Sequence, residues 1–293
     1  MHKYLRAVGF SDVNTKSKLQ VLIGQAVKNA EERSFSTYGE DTLLAEYNLE
    51  VAPGIGVTVC GEMDENDRFL YDYSFPYLRP GCISTQDNTT IERHMDKISY
   101  AGVCDDNRVG ITIIFYVQNR IDYLKNFDSY YRANKNIAVS LSGLSIDGMI
   151  MMPVDKSTCT TAQEKAKKKK RNSLVEAARN GDENAIETLT LDDMDLYSNI
   201  SRKIKYNDLY SLVETYFMPY GVECDLYSVM GEIEDVEELM NAYTRDIVYK
   251  LSIICNEIPL TVCINKADLF GEPQAGRRFK GTIWLQGKIS EVK

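Results

Sequence analysis

Two stretches of this chain gather residue types that could do chemistry. The first is Glu92-Arg93-His94-Met95-Asp96-Lys97, followed by Tyr100-Ala101-Gly102-Val103-Cys104-Asp105-Asp106-Asn107-Arg108. His94 is the only histidine besides His2. Imidazole, thiol and paired carboxylates could form a Cys–His nucleophile, or a metal site from His94, Asp105 and Asp106. An acid–base set would add Glu92 and Arg108. The spacing specifies none of these. A nucleophilic cysteine needs a helix amino terminus or a fixed cation beside its thiolate, whereas Cys104 is followed by two acids. The competing expectation is structural: Cys104 packs inward, Asp105-Asp106-Asn107 turns ahead of a strand from Val109, and His94 lies on a helix face.

The second stretch is Gly276-Arg277-Arg278-Phe279-Lys280-Gly281-Thr282-Ile283-Trp284, which holds the only tryptophan. Cations that follow a phosphate backbone and rings that stack bases make a single-strand nucleic-acid surface, so Arg277, Arg278, Lys280 and Trp284 form a candidate ligand-binding set. The chain's net charge of −9 opposes that reading, because an acidic body repels a polyanion. If Trp284 points inward it is simply core. Nearby, Asn265-Lys266-Ala267-Asp268 follows an apolar run and matches the guanine-specificity motif of GTPases. That motif works only beside a phosphate cradle, and no G-x-x-x-x-G-K-[ST] is present.

The elements that would position these residues divide around a charged seam. Seven basic residues fall between Lys156 and Arg171, with Glu164 the single acid among them. Like charges this dense repel and stay hydrated. The expected organisation is an α+β domain over 1–155, a basic linker over 156–172, and a helical hairpin plus small β-barrel domain over 173–293. At 293 residues each half is long enough to bury its own core. The seven cysteines are odd in number and include no C-x-x-C. That usage suits a reducing cytosol and indicates neither a zinc site nor a disulfide framework. No apolar h-region follows the amino terminus, and the longest apolar stretch, Ile137 to Met152, is broken by serines and Asp147.

In the first half, Leu19, Leu22, Ile23, Ala26, Val27 and Ala30 make a helical stripe. Ile55 to Val59 and Phe69 to Phe75 alternate as strands about a turn at Asp64–Asp67, and Val109 to Val117 and Ile137 to Leu144 complete an antiparallel or mixed sheet. In the second half, Ser173-Leu174-Val175-Glu176 reads as a capping box. Gly181 ends that helix, and Asp182 caps the next. Further helices are expected from Asp192 towards Ile204 and between Asp208 and Phe217. Strands then follow at Glu223–Val236, Ile247–Cys255, Pro259–Ile264 and Thr282–Ile289, enough to close an OB-like barrel.

Four long segments, Met1 to Phe10, Ser99 to Val117, Phe217 to Ile233 and Asn265 to Gly287, together resemble an uncharacterised domain-of-unknown-function family of anaerobic Gram-positive bacteria. The resemblance covers nearly the whole chain and implies a cytosolic bacterial protein, without an activity, cofactor or site. The leading functional expectation is a non-enzymatic binding or adaptor protein with protein partners and no membrane or cofactor motif. The alternatives are a metal-assisted or acid–base enzyme around His94 and Asp105/Asp106, and single-stranded nucleic-acid binding by the barrel.

Overall fold

The computed structural model describes residues 2–38, 42–87, 89–93, 98–106, 108–126, 137–153, 170–171, 173–204 and 213–291. After a 3-10 helix (Lys3–Val8), helix α1 (Lys16–Asn29) starts where the Thr15 hydroxyl accepts the Lys18 N–H. Leu22 and Ala26 of the expected stripe are its buried residues. Four strands then pair in chain order as an antiparallel meander: β1 (Glu32–Tyr38), β2 (Thr42–Ala52), β3 (Ile55–Met63) and β4 (Phe69–Leu78). The β3–β4 turn falls at the expected acids. Asp64 Oδ1 accepts the N–H groups of Asn66 (2.9 Å) and Arg68 (2.7 Å).

The second sheet has ten strands: β5 (Thr89–Arg93), β6 (Tyr100–Asp106), β7 (Ile111–Val117), β8 (Ile137–Met151), β9 (Tyr216–Pro219), β10 (Leu226–Met240), β11 (Ile247–Cys255), β12 (Ile258–Asn265), β13 (Leu269–Phe270) and β14 (Arg278–Glu291). It is mixed. β8 runs parallel to β12 and β13, and β7 runs parallel to β14. β8 also runs antiparallel to β14, from Ile137 opposite Glu291 to Met151 opposite Arg278. The pairings of β8, β12, β11, β10 and β14 therefore form a closed circuit. The architecture is α+β and dominated by strands.

That circuit crosses the expected boundary between halves. One of its five strands, β8, belongs to the first half, and the other four belong to the second. The hydrophobic interior crosses too: Tyr47, Val57 and Phe75 of the meander pack in one cluster with Leu144, Leu226, Val248 and Trp284. Described residues from both sides of the basic run thus share one sheet and one hydrophobic cluster. Of the basic run, Lys170 and Arg171 are exposed, and residues 156–169 lie outside the described set. A charged connection says nothing about whether the strands it joins share a sheet.

Polar side chains fasten the two sheets together. Gln286, fully buried on β14, donates to the Pro76 carbonyl (2.7 Å) and accepts the Leu78 N–H (3.3 Å) on the meander's edge strand β4. Gln118 bridges the Leu78 carbonyl and Gln286 Oε1 at 2.8 and 2.7 Å. These bonds satisfy edge groups that would otherwise be buried unpaired. Phe115 on β7 is fully buried between glycines. A Cβ at Gly102 or Gly287 would stand 2.1 or 2.3 Å from its ring.

Helix α2 (Arg120–Lys125) follows β7, and helix α3 (Glu183–Ile204) follows a short helical stretch at 173–179. Gly181 takes φ +88°, and Asp182 Oδ1 accepts the N–H groups of Asn184 and Ala185, as the punctuation predicts. The capping box is a correction. The chain is already helical at 170–171, and the Ser173 hydroxyl donates to the Lys170 carbonyl (2.8 Å) instead of capping a helix start. The helix expected from Asp192 is the second part of the longer α3. Of the helix expected between Asp208 and Phe217, residues 208–212 lie outside the described set, and Tyr216 and Phe217 form β9. No described helix is long and apolar enough to cross a membrane.

Candidate functional site

Among the described members of the first expected cluster, the structure pairs Asp106 with Arg108. Glu92 is exposed on β5, and His94 lies outside the described residues. Along β6 the side chains alternate, so Cys104 points inward while Asp105 points out and accepts the Thr112 hydroxyl (2.6 Å). Burial pushes the Cys104 thiol up, away from a reactive thiolate. Asp106 is fully buried and takes Arg108 Nε and Nη2 at 2.9 and 2.6 Å. Burial alone would raise its pKa, but the bonds from Arg108 outweigh that and hold it below the ordinary carboxylate range. Arg108 continues to the carbonyls of Ser84 (2.7 Å) and Glu257 (3.0 Å). The pair thus ties three chain segments together. Among the described residues no group of three or more His, Cys, Asp and Glu side chains could hold a metal ion.

The second cluster is dispersed. Arg278 is buried and donates to the carbonyls of Met152 (2.9 Å) and Val213 (2.6 Å). Burial lowers its pKa. Trp284 is only 5% exposed, stacks with Tyr4 at 5.7 Å between centroids, and donates Nε1–H to Asp225 (2.7 Å). Arg277, half-buried, bonds the Glu272 carbonyl, and Lys280 is half-buried. An open row of cations and rings is therefore not presented. The Asn265 motif is likewise engaged in the fold: its Nδ2 donates to Ser11 and Asp246, and Asp268 pairs with Arg6 at 2.5 Å.

The structure instead assembles a polar cleft that the sequence reading missed. It has a volume of about 110 Å³ and is built where the meander, α2 and β14 meet. Its floor is one face of the meander. Cross-strand register sets Glu32 opposite Asn48, Asn48 opposite Thr58, and Ser34 opposite Glu46. Tyr77 of β4 closes the row opposite Gly56, where a Cβ would meet its hydroxyl at 2.6 Å. Gln118, Asn119, Ile121 and Asp122 line the cleft from the chain entering α2, and Lys288 lines it from β14.

Most of these polar groups hold one another in place. Thr58 donates to Asn48 (2.7 Å), Asn48 donates to Glu32 (3.3 Å), and Arg79 pairs with Glu32 (2.7 Å) and Glu50 (3.6 Å). Glu46, 4% exposed, takes Arg120 Nε at 2.5 Å. Burial nonetheless pushes the Glu46 carboxyl up against the pull of Arg120. Arg120, 2% exposed, also donates to the Tyr73 hydroxyl (2.9 Å) and the Ile98 carbonyl. Two buried polar atoms here have no partner among the described residues: Arg120 Nη2 and the Tyr77 hydroxyl. Tyr77 itself lines the cleft and is 4% exposed. A buried hydroxyl left unbonded costs about 1–3 kcal/mol, so its position on the cleft wall calls for a bonding partner. The only sequence trace of this site is the alternation of Glu46, Asn48 and Glu50, which reads equally well as a solvent face.

No curated protein and no solved structure matches this chain. A family model does match, over residues 5–287, which takes in strands of both sheets and every cleft residue except Lys288. The chain belongs to the family described as a domain of unknown function, E. rectale gene description (DUF3881).

Proposed function

We propose that this protein is a non-catalytic binding protein that takes a small polar ligand in the cleft between its two sheets. The observation that carries the reading is Tyr77, a residue of the cleft wall whose buried hydroxyl has no partner among the described residues. Buried polar groups are nearly always bonded, and an exception is a sign of a strain reservoir or a missing partner. The size of the cleft limits that partner. Sites for drug-sized molecules run to about 300–1,000 Å³, so about 110 Å³ favours a ligand of few heavy atoms over a nucleotide or large cofactor.

The non-catalytic part rests on how the described candidates are spent. Cys104 faces the interior, and Asp106 and Arg108 bond each other and two neighbouring carbonyls. An acid–base or metal-assisted site centred on His94 would have to recruit other groups. An OB-like reading of the five-strand circuit, with single-stranded nucleic acid as its ligand, is weakened by the buried Arg278 and Trp284. Six described cysteines are all free thiols, which favours a reducing, cytosolic setting.

Screening small polar compounds by thermal denaturation tests the proposal. A ligand at a hundred times its Kd should stabilise the fold by about 2.7 kcal/mol. The same compound should have little effect on Tyr77→Phe. Equal stabilisation of the variant, or no compound acting on the wild type, would reject the reading.

A further inference from the structure

The charges around the cleft divide into those that are spent and those that are not. Glu46 is held by Arg120, and Glu32 and Glu50 are held by Arg79. Asp122 and Lys288 line the same cleft, one from α2 and one from β14, and neither joins an ion pair among the described residues. Asp122 is close enough to add its field to the carboxyl of Glu46. The wall near the start of α2 thus carries one carboxylate, Asp122, that pairs with no cation among the described residues. The remaining unspent groups, the Lys288 ammonium and the Tyr77 hydroxyl, are donors suited to an anionic oxygen.

Resting on the reading that the cleft takes a ligand, we infer that this ligand is a small zwitterion. Its ammonium is received by Asp122 beside Glu46, and its carboxylate by Lys288 and the Tyr77 hydroxyl. At about 110 Å³ the cleft is well below the roughly 300–1,000 Å³ of sites for drug-sized molecules. That space suits an amino-acid-sized molecule with few atoms beyond its two charged groups. Lone cations or anions would satisfy one unspent group and leave the other bare, and neutral polyols would use neither charge.

Calorimetric titration of the full chain with glycine, β-alanine, ethylamine, propionate and glycerol separates these cases. A zwitterion should bind at least tenfold more tightly than ethylamine or propionate. Asp122→Asn and Lys288→Gln, both at exposed positions that leave the fold intact, should each weaken it about fivefold or more. Equal binding of either singly charged probe would overturn the zwitterion assignment, as would indifference to both substitutions. Glycerol binding in place of the zwitterions would overturn it too, while leaving the cleft reading standing. Binding of none of the five would overturn the zwitterion assignment, and the cleft reading would then rest on the wider compound screen with Tyr77→Phe as its control.

Discussion

Replacing Tyr77 by Phe removes one oxygen and leaves the ring where it packs against Gly56. In the unliganded protein that oxygen is buried and bonds no described residue. Taking it away lifts a desolvation cost of about 1–3 kcal/mol for an unpaired hydroxyl. The ring's apolar contacts and buried area are retained, so no cavity larger than the hydroxyl itself is created. The expected outcome is a gain of about 1 kcal/mol in unfolding free energy, the lower end of that range. Equilibrium denaturation in urea reads this as a higher midpoint with an unchanged slope. With a cleft ligand bound the sign should reverse, since the wild type then makes a bond that the variant lacks. A loss of 1 kcal/mol or more in the unliganded variant would refute the reasoning, because it would mean that the hydroxyl already has a partner within the fold.

Three further outcomes follow from the packing. Arg120→Met strands the buried Glu46 carboxylate and should cost about 3–5 kcal/mol, whereas Glu46→Leu combined with it should recover most of that loss; equal costs for the single and double variants in urea unfolding would contradict the pairing. Gly102→Ala drives a methyl into the Phe115 ring and should destabilise by about 1–3 kcal/mol, a loss that Phe115→Leu in the same chain relieves in part. Burial of His2, with its ring 4.3 Å from Trp284, depresses the imidazole from 6.5 to about 4. The unfolded chain therefore takes up the proton first, so stability is present above pH 6.5 and falls as pH drops towards 4. The slope is at most about 1.4 kcal/mol per pH unit, and His2→Gln should flatten it in denaturation series at stepped pH.

The sequence disclosed elements better than their assembly. Ile247–Cys255 reads as a strand and is one to the residue, because its apolar alternation is set by a single buried face. β8 and β14 were each legible as strands, yet their mutual pairing was not: residues near 140 and 288 meet only through the closed circuit, and nothing local specifies a partner so far along the chain. β1 and β2 escaped notice for a different reason. Glu32, Ser34, Glu46 and Asn48 sit on the cleft face, so the polar residues that mark the site also disguise the strands as surface loop. Along β6, strand alternation sends Cys104 and Asp105 to opposite sides, a consequence of period two that was available once that segment was read as extended.

The central claim is that the cleft between the sheets is a ligand site, and amide chemical shifts measure it most directly. On titration with β-alanine, the account predicts saturating shifts confined to the amides around Asn48, Thr58, Tyr77, Asn119 and Lys288. Shifts centred elsewhere, for example around Arg277 and Lys280, or shifts at these positions that persist unchanged in Tyr77→Phe, would contradict it.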